Sequence, residues 1–115
     1  MPKSNFYKYL HHRFIRKSNK WYPFLSVYYL TNACEFRCPY CCDGHGKPYY
    51  QLPTETLPSE KVLKVIEQIR KNSNHLVITG GEPLNHPEFG KIIAKIGEFK
   101  FLDVAFTTNG YYVDK

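Results

Sequence analysis

The chain reads as an α/β protein with three parallel strands and two crossover helices. Short apolar runs rich in β-branched and aromatic residues alternate with apolar stripes of helical period. Helical segments of roughly a dozen residues separate consecutive strands, the spacing that parallel strands joined by right-handed crossovers require. A turn-forming polar cluster closes each strand.

Residues 1 to 20 hold Lys3, Lys8, Arg13, Arg16, Lys17 and Lys20 and no acid, which equals the whole formal charge of +6. Phe6, Tyr7, Tyr9, Phe14, Trp21 and Tyr22 are interleaved with them. Residues 1–22 are therefore expected to form a basic aromatic extension, partly helical, that packs its aromatics on a domain over 23–115. A mixture of basic and aromatic residues also suits nucleic acid, which leaves an RNA-binding fragment as an alternative.

The first strand is predicted over Leu25 to Thr31, an apolar run bounded by Pro23 and the polar Thr31–Asn32 pair. Gly44, Gly46, Pro48, Pro53 and Pro58 mark residues 42–58 as a long loop. Val62, Val65, Ile66 and Ile69 then recur at helical spacing, with Ser59 a possible N-cap and Arg70 and Lys71 at the negative end of the helix dipole. Leu76 to Thr79 is the second strand, stopped by Gly80 and Gly81. Asn85 and Glu88 have capping-box spacing around Pro87, ahead of a stripe of Phe89, Ile92, Ile93 and Ile96 that ends near Gly97. Leu102 to Phe106 is the third strand, with Thr107-Thr108-Asn109-Gly110 as its turn.

With 115 residues, 43% hydrophobic and 23% charged, the composition is that of at most one globular domain. No run approaches the roughly 20 apolar residues of a membrane helix. The N-terminus lacks a secretory signal's apolar core and small-residue cleavage site, so a cytoplasmic protein with reduced thiols is expected.

Cys34, Cys38 and Cys41 stand in a C-x3-C-x2-C spacing just after the first strand. Such a group of thiolates favours iron-sulfur clusters or zinc over calcium and magnesium, which want oxygen ligands. A four-iron, four-sulfur cluster takes one cysteine per iron, so three cysteines leave one iron open to a small molecule. His45 would complete a Cys3His set for structural zinc. Cys42, directly beside Cys41, reads as a loop thiol. A non-catalytic iron-sulfur or zinc module is thus a second alternative.

Parallel strands end on the same edge. The cysteine loop, Gly80-Gly81-Glu82-Pro83 and Thr107-Thr108-Asn109-Gly110 each follow a strand, so all three clusters share the edge where parallel α/β folds bind ligands. His75 and His86 read as strand-edge and helix-cap residues.

Taken with Tyr40 before the last cysteine, these three clusters resemble the radical S-adenosylmethionine (SAM) superfamily, in its order and over about Leu25 to Gly110. The resemblance implies the N-terminal part of a partial (βα)6 TIM-like barrel, with the chain reading as the first portion of a longer protein. It implies a 4Fe-4S cluster held by Cys34, Cys38 and Cys41, with SAM's amino and carboxylate groups on the fourth iron. One electron from the cluster then cleaves SAM to methionine and a 5'-deoxyadenosyl radical, which takes hydrogen from substrate. An electron donor such as a flavodoxin or ferredoxin is implied as partner.

For the SAM site, the resemblance points to Tyr40 near the adenine and to Gly80 and Gly81 as bare backbone beside the methionine part. Glu82 is expected to fix the turn or lie near the ammonium, and Thr108 and Asn109 to face ribose or substrate hydroxyls. A bulky residue at Gly81 is expected to weaken SAM binding and spare the cluster. The run from Leu30 to Cys41 looks closest to members that modify peptides or proteins. Val77 stands where members that make the molybdenum cofactor precursor carry arginine, which counts against that branch.

Overall fold

The computed structural model describes residues 5–15 and 22–114. Lys3, Arg16, Lys17, Lys20 and Trp21 of the expected basic arm lie outside the described residues. Helix α1 spans Asn5–Leu10 and runs into a π-helical turn, His11–Ile15. The arm does not bury its aromatics as expected: Phe6 and Phe14 remain 61% and 72% exposed. Lys8 instead lies over the Tyr22 ring, 5.8 Å from its centroid, so the arm packs partly on itself.

Strands β1 (Leu25–Thr31), β2 (His75–Gly80) and β3 (Asp103–Phe106) form one sheet in the order β1-β2-β3, with both pairs parallel. Helices α2 (Ser59–Asn72) and α3 (Phe89–Glu98) lie between successive strands. Element order and strand direction are those predicted, and boundaries move by a residue or so. Leu102 falls outside β3, its N–H donating to the Asn74 carbonyl at 2.9 Å.

The register explains the core. Tyr28 pairs with Ile78, and Ile78 with Phe106, so the even-numbered positions of all three strands share one face. On that face Leu30, Leu76 and Ile78 meet Val62 and Ile66 of α2 and Ile92 and Ile96 of α3, all buried. The stripe read for α2 is wider than its buried face: Val65 is 39% exposed. Val104 and Phe106 face the same way yet stay partly exposed, with Phe106 covered at one edge by Phe89 at 5.6 Å. Leu25, Val27 and Tyr29 project from the opposite face and are exposed.

The caps read at Ser59 and at Asn85 with Glu88 are corrected, whereas His86 keeps the cap role read for it. Ser59 is the first residue of α2, not its cap, and Pro58 holds the cap position without a side-chain bond. The Ser59 N–H and hydroxyl both donate to the Glu88 carboxylate, each at 2.9 Å. The Glu88 carboxylate therefore serves the start of α2, 29 residues away, while Glu88 holds the cap position of α3 without a side-chain capping bond. Asn85 lies in a short 3-10 turn, Pro83–Asn85. His86 takes the capping work: its Nδ1 accepts the Glu88 N–H at 3.1 Å, so its Nε2 donates to the Leu57 carbonyl at 2.8 Å.

Hydrogen bonds from the Ser59 backbone and hydroxyl, with Lys91 beside them, hold the Glu88 carboxyl below its ordinary 4.5. A depressed carboxylate contributes stability that is complete above its unfolded value and is lost as pH falls through the folded value. Ser59→Ala should therefore cost stability at neutral pH, and its difference from wild type should shrink as pH falls below 4.5 and through the lowered folded value, as urea melts at two pH values would show.

Arg70 does more than face its own helix end. Its Nε donates to the carbonyls of Phe99 and Lys100 at 3.1 and 3.2 Å, just beyond α3, and Nη1 to Asn74 Oδ1 at 2.9 Å. These bonds join the C-terminal ends of α2 and α3.

Candidate functional site

The C-terminal edge of the sheet is built by close passage of backbone. After a register shift between Tyr29 and Thr31, β1 comes so near β2 that the Gly81 N–H donates to the Thr31 carbonyl at 2.7 Å. The Glu82 N–H then donates to the Ala33 carbonyl at 2.8 Å. A Cβ on Gly80 would lie 2.2 Å from the Thr31 oxygen, and Gly80 adopts a φ of +148°. One on Gly81 would lie 2.5 Å from the Ala33 oxygen and 2.6 Å from that of Asn32. Both glycines are thus demanded by the chain leading into Cys34, a reason that the sequence does not display.

Glu82 is fully buried, and its carboxylate is shared among the turns after β2 and β3. Oε1 accepts the Leu84 N–H at 3.0 Å; the Thr108 hydroxyl donates to both oxygens, at 3.0 and 2.9 Å; the Asn109 N–H donates to Oε2 at 2.7 Å. Of its two expected roles the structure displays the turn-fixing one. Thr108 is occupied likewise, accepting from the Gly110 N–H at 3.1 Å while donating to Glu82.

Cys34, Cys38 and Cys41 line one open cleft together with Gly81, Phe36, Arg37, Tyr49 and Tyr50. The Cys41 N–H donates to the Cys38 carbonyl at 3.0 Å, a turn that brings these two thiols round to one side. Cys42 is exposed and is not among the lining residues. All four cysteines are free thiols. Burial pushes the Cys41 thiol up, and the neighbouring sulfurs of Cys38, Cys34 and Cys42 add to it. Bound iron would relieve that repulsion, because coordination favours the thiolate.

The donor set fits a cluster. Three soft thiol ligands border that one cleft. A four-iron cube takes each cysteine on a different iron, so three thiols on one cleft match its protein ligands with one iron left open.

Tyr40, expected beside the cofactor, is 84% exposed and is not among the residues lining the cleft. Of the aromatics that do line it, Phe36 comes from the cysteine loop, and Tyr49 and Tyr50 come from the long loop. Tyr49 stacks on Tyr29 at 6.3 Å, and its hydroxyl is pushed up to about 12, first by the hydrogen bond with Tyr29 and then by burial. Arg37 lies over the Tyr50 ring at 5.2 Å, bringing a guanidinium to the wall. The loop is tied to the strand end by Asn32 Nδ2, which donates to the Pro53 carbonyl at 3.0 Å. The only sequence signal for these residues was an aromatic pair inside a Gly- and Pro-rich stretch, which reads as connector.

The model of the radical SAM superfamily matches residues 28–115. The chain belongs to the radical SAM superfamily. Members use a 4Fe-4S cluster and SAM, so the lineage is that of an enzyme, and the three parallel strands are consistent with its partial TIM-like barrel. Among relatives, GTP 3',8-cyclase of Microcystis aeruginosa is 36% identical over 88 residues, which cover 74% of this chain and 27% of that protein. GTP 3',8-cyclase of Aliarcobacter butzleri is 38% identical over 89 residues, covering 75% and 27%. That of Limosilactobacillus fermentum is 35% identical over 89 residues, covering 75% and 26%. The chain thus spans about a quarter of the length of these relatives. Their names do not support the expected likeness to peptide-modifying members.

Proposed function

We propose that this chain forms the cluster- and SAM-binding part of a radical SAM enzyme acting on a purine nucleoside triphosphate. The observation that carries the reading is the convergence of Cys34, Cys38, Cys41 and Gly81 on one cleft at the C-terminal edge of the sheet. The substrate class rests on the relatives' names. Bound there, the cluster and SAM supply one-electron cleavage of a carbon-sulfur bond and an organic radical that removes hydrogen from substrate.

This chain's own residues hold and shape that site. Cys34, Cys38 and Cys41 are the cluster ligands. Gly81, on the cleft wall, offers backbone to the methionine part of SAM. Gly80, Glu82 and Thr108 build the wall without touching the ligand, and Tyr49 and Tyr50 take the aromatic role first given to Tyr40. Arg37 supplies positive charge for a carboxylate or phosphate. The electron donor is of the flavodoxin or ferredoxin kind, and a cytoplasmic setting keeps the free thiols reduced. Residues 1–22 are an extension to this domain.

Single Cys→Ala changes at 34, 38 or 41 should abolish four-iron binding after anaerobic reconstitution, while Cys42→Ala keeps the wild-type iron content. Equal loss from Cys42→Ala would overturn the ligand assignment. GTP should raise the rate of 5'-deoxyadenosine release from SAM above the substrate-free rate. No response to GTP would remove the substrate and leave the cluster assignment standing.

A further inference from the structure

Asn109 is held on two sides. Its N–H donates to buried Glu82, and its Oδ1 accepts the Tyr111 N–H at 2.9 Å. With the oxygen engaged, the amide's NH2 must point the other way. There Nδ2 lies 3.7 Å from Cys34 Sγ, at N–H···S hydrogen-bond distance. The neighbouring residues continue the same contact. The Tyr112 hydroxyl donates to Glu35 Oε1, and the Tyr111 ring meets Phe36 edge-on at 6.1 Å. The turn after β3 therefore clamps the first half of the cysteine loop.

We propose that Asn109 is a positioning residue for Cys34, aiming its thiolate and raising the reduction potential of the cluster that it helps to hold. This deepens the reading above and rests on it. A donor to a ligand sulfur withdraws charge, which favours the more negative, reduced cluster; hydrogen bonds to sulfur are among the factors that set cluster potentials. Glu82 acts at one remove, by fixing the backbone from which the Asn109 amide projects.

The test is a redox titration of the reconstituted chain, followed by electron paramagnetic resonance of the reduced cluster. At the wild-type midpoint, Asn109→Ala should lower the ratio of reduced to oxidised cluster about tenfold, a shift of about 59 mV for one electron. Asn109→Asp, nearly isosteric, should shift it further in the same direction by setting a negative acceptor against the thiolate. Tyr112→Phe, which loosens the clamp but keeps the donor, should leave the midpoint at the wild-type value. Unmoved midpoints in both Asn109 variants would overturn the proposal. So would an equal shift in Tyr112→Phe, or loss of iron from both Asn109 variants alike, because each would mean a general effect on folding. A wild-type chain without a cluster would instead bring down the reading of the site itself.

Discussion

Gly81→Ala is expected to lose most of its iron on reconstitution and to melt well below wild type. The added methyl would sit 2.5 Å from the Ala33 oxygen and 2.6 Å from the Asn32 oxygen, both backbone atoms that no side-chain rotation can move aside. Relief requires pushing residues 32–33 away, which breaks the Gly81–Thr31 and Glu82–Ala33 hydrogen bonds and drags Cys34 with them. Overpacking of this kind costs about 1–3 kcal/mol. Gly90→Ala is the matched control: its Cβ meets open space within α3, so the helix should be unchanged or gain up to about 1 kcal/mol. Iron analysis and thermal melts on the two variants decide the matter. A Gly81→Ala protein with full iron and only weakened SAM binding would restore the simpler view that this glycine exists for the cofactor alone.

Glu82→Ala should destabilise the chain by about 2–3 kcal/mol, because it strands donors from Leu84, Thr108 and Asn109. The full sum is not expected, since Thr108 and Asn109 are exposed enough to turn toward water. At roughly 4–8 °C per kcal/mol for a domain of this size, the melting temperature should fall by about 10 °C or more. Glu82→Gln should recover part of this, because its amide oxygen still accepts while its NH2 meets donors. Equal stability of all three proteins would mean that the buried carboxylate does not join the turns.

The parts of this molecule that were legible in its sequence are those set by local pattern. Val62, Ile66, Ile92 and Ile96 announce two helices by their spacing, and the apolar runs and polar turns fix three strands to within a residue or so. From strand direction alone, the cysteine loop, the glycine pair and the Thr-Thr-Asn-Gly turn fall on one edge, and the structure places them there. What escaped the reading depends on pairs far apart in the chain. Ser59 and Glu88 each look like a cap for the helix that follows, yet they bind one another across 29 residues. Gly80 and Gly81 look like room for a ligand, yet the nearest atoms belong to β1 and its exit. Tyr49 and Tyr50 gain their place on the cleft through contacts that no periodicity encodes: the Tyr49 N–H donates to the Cys41 carbonyl, and Asn32 ties their loop to a strand end. Tyr40 shows the converse: its position between two ligands suggests proximity, but the turn from Cys38 to Cys41 leaves its ring in solvent.

The most direct test of the cluster and SAM assignment is anaerobic reconstitution with iron and sulfide, followed by the electron paramagnetic resonance spectrum of the reduced chain with and without SAM. The account predicts four irons per chain and a spectrum that shifts when SAM is added, the signature of an open iron taking a ligand. Zinc in place of iron, or a four-iron spectrum indifferent to SAM, would contradict it.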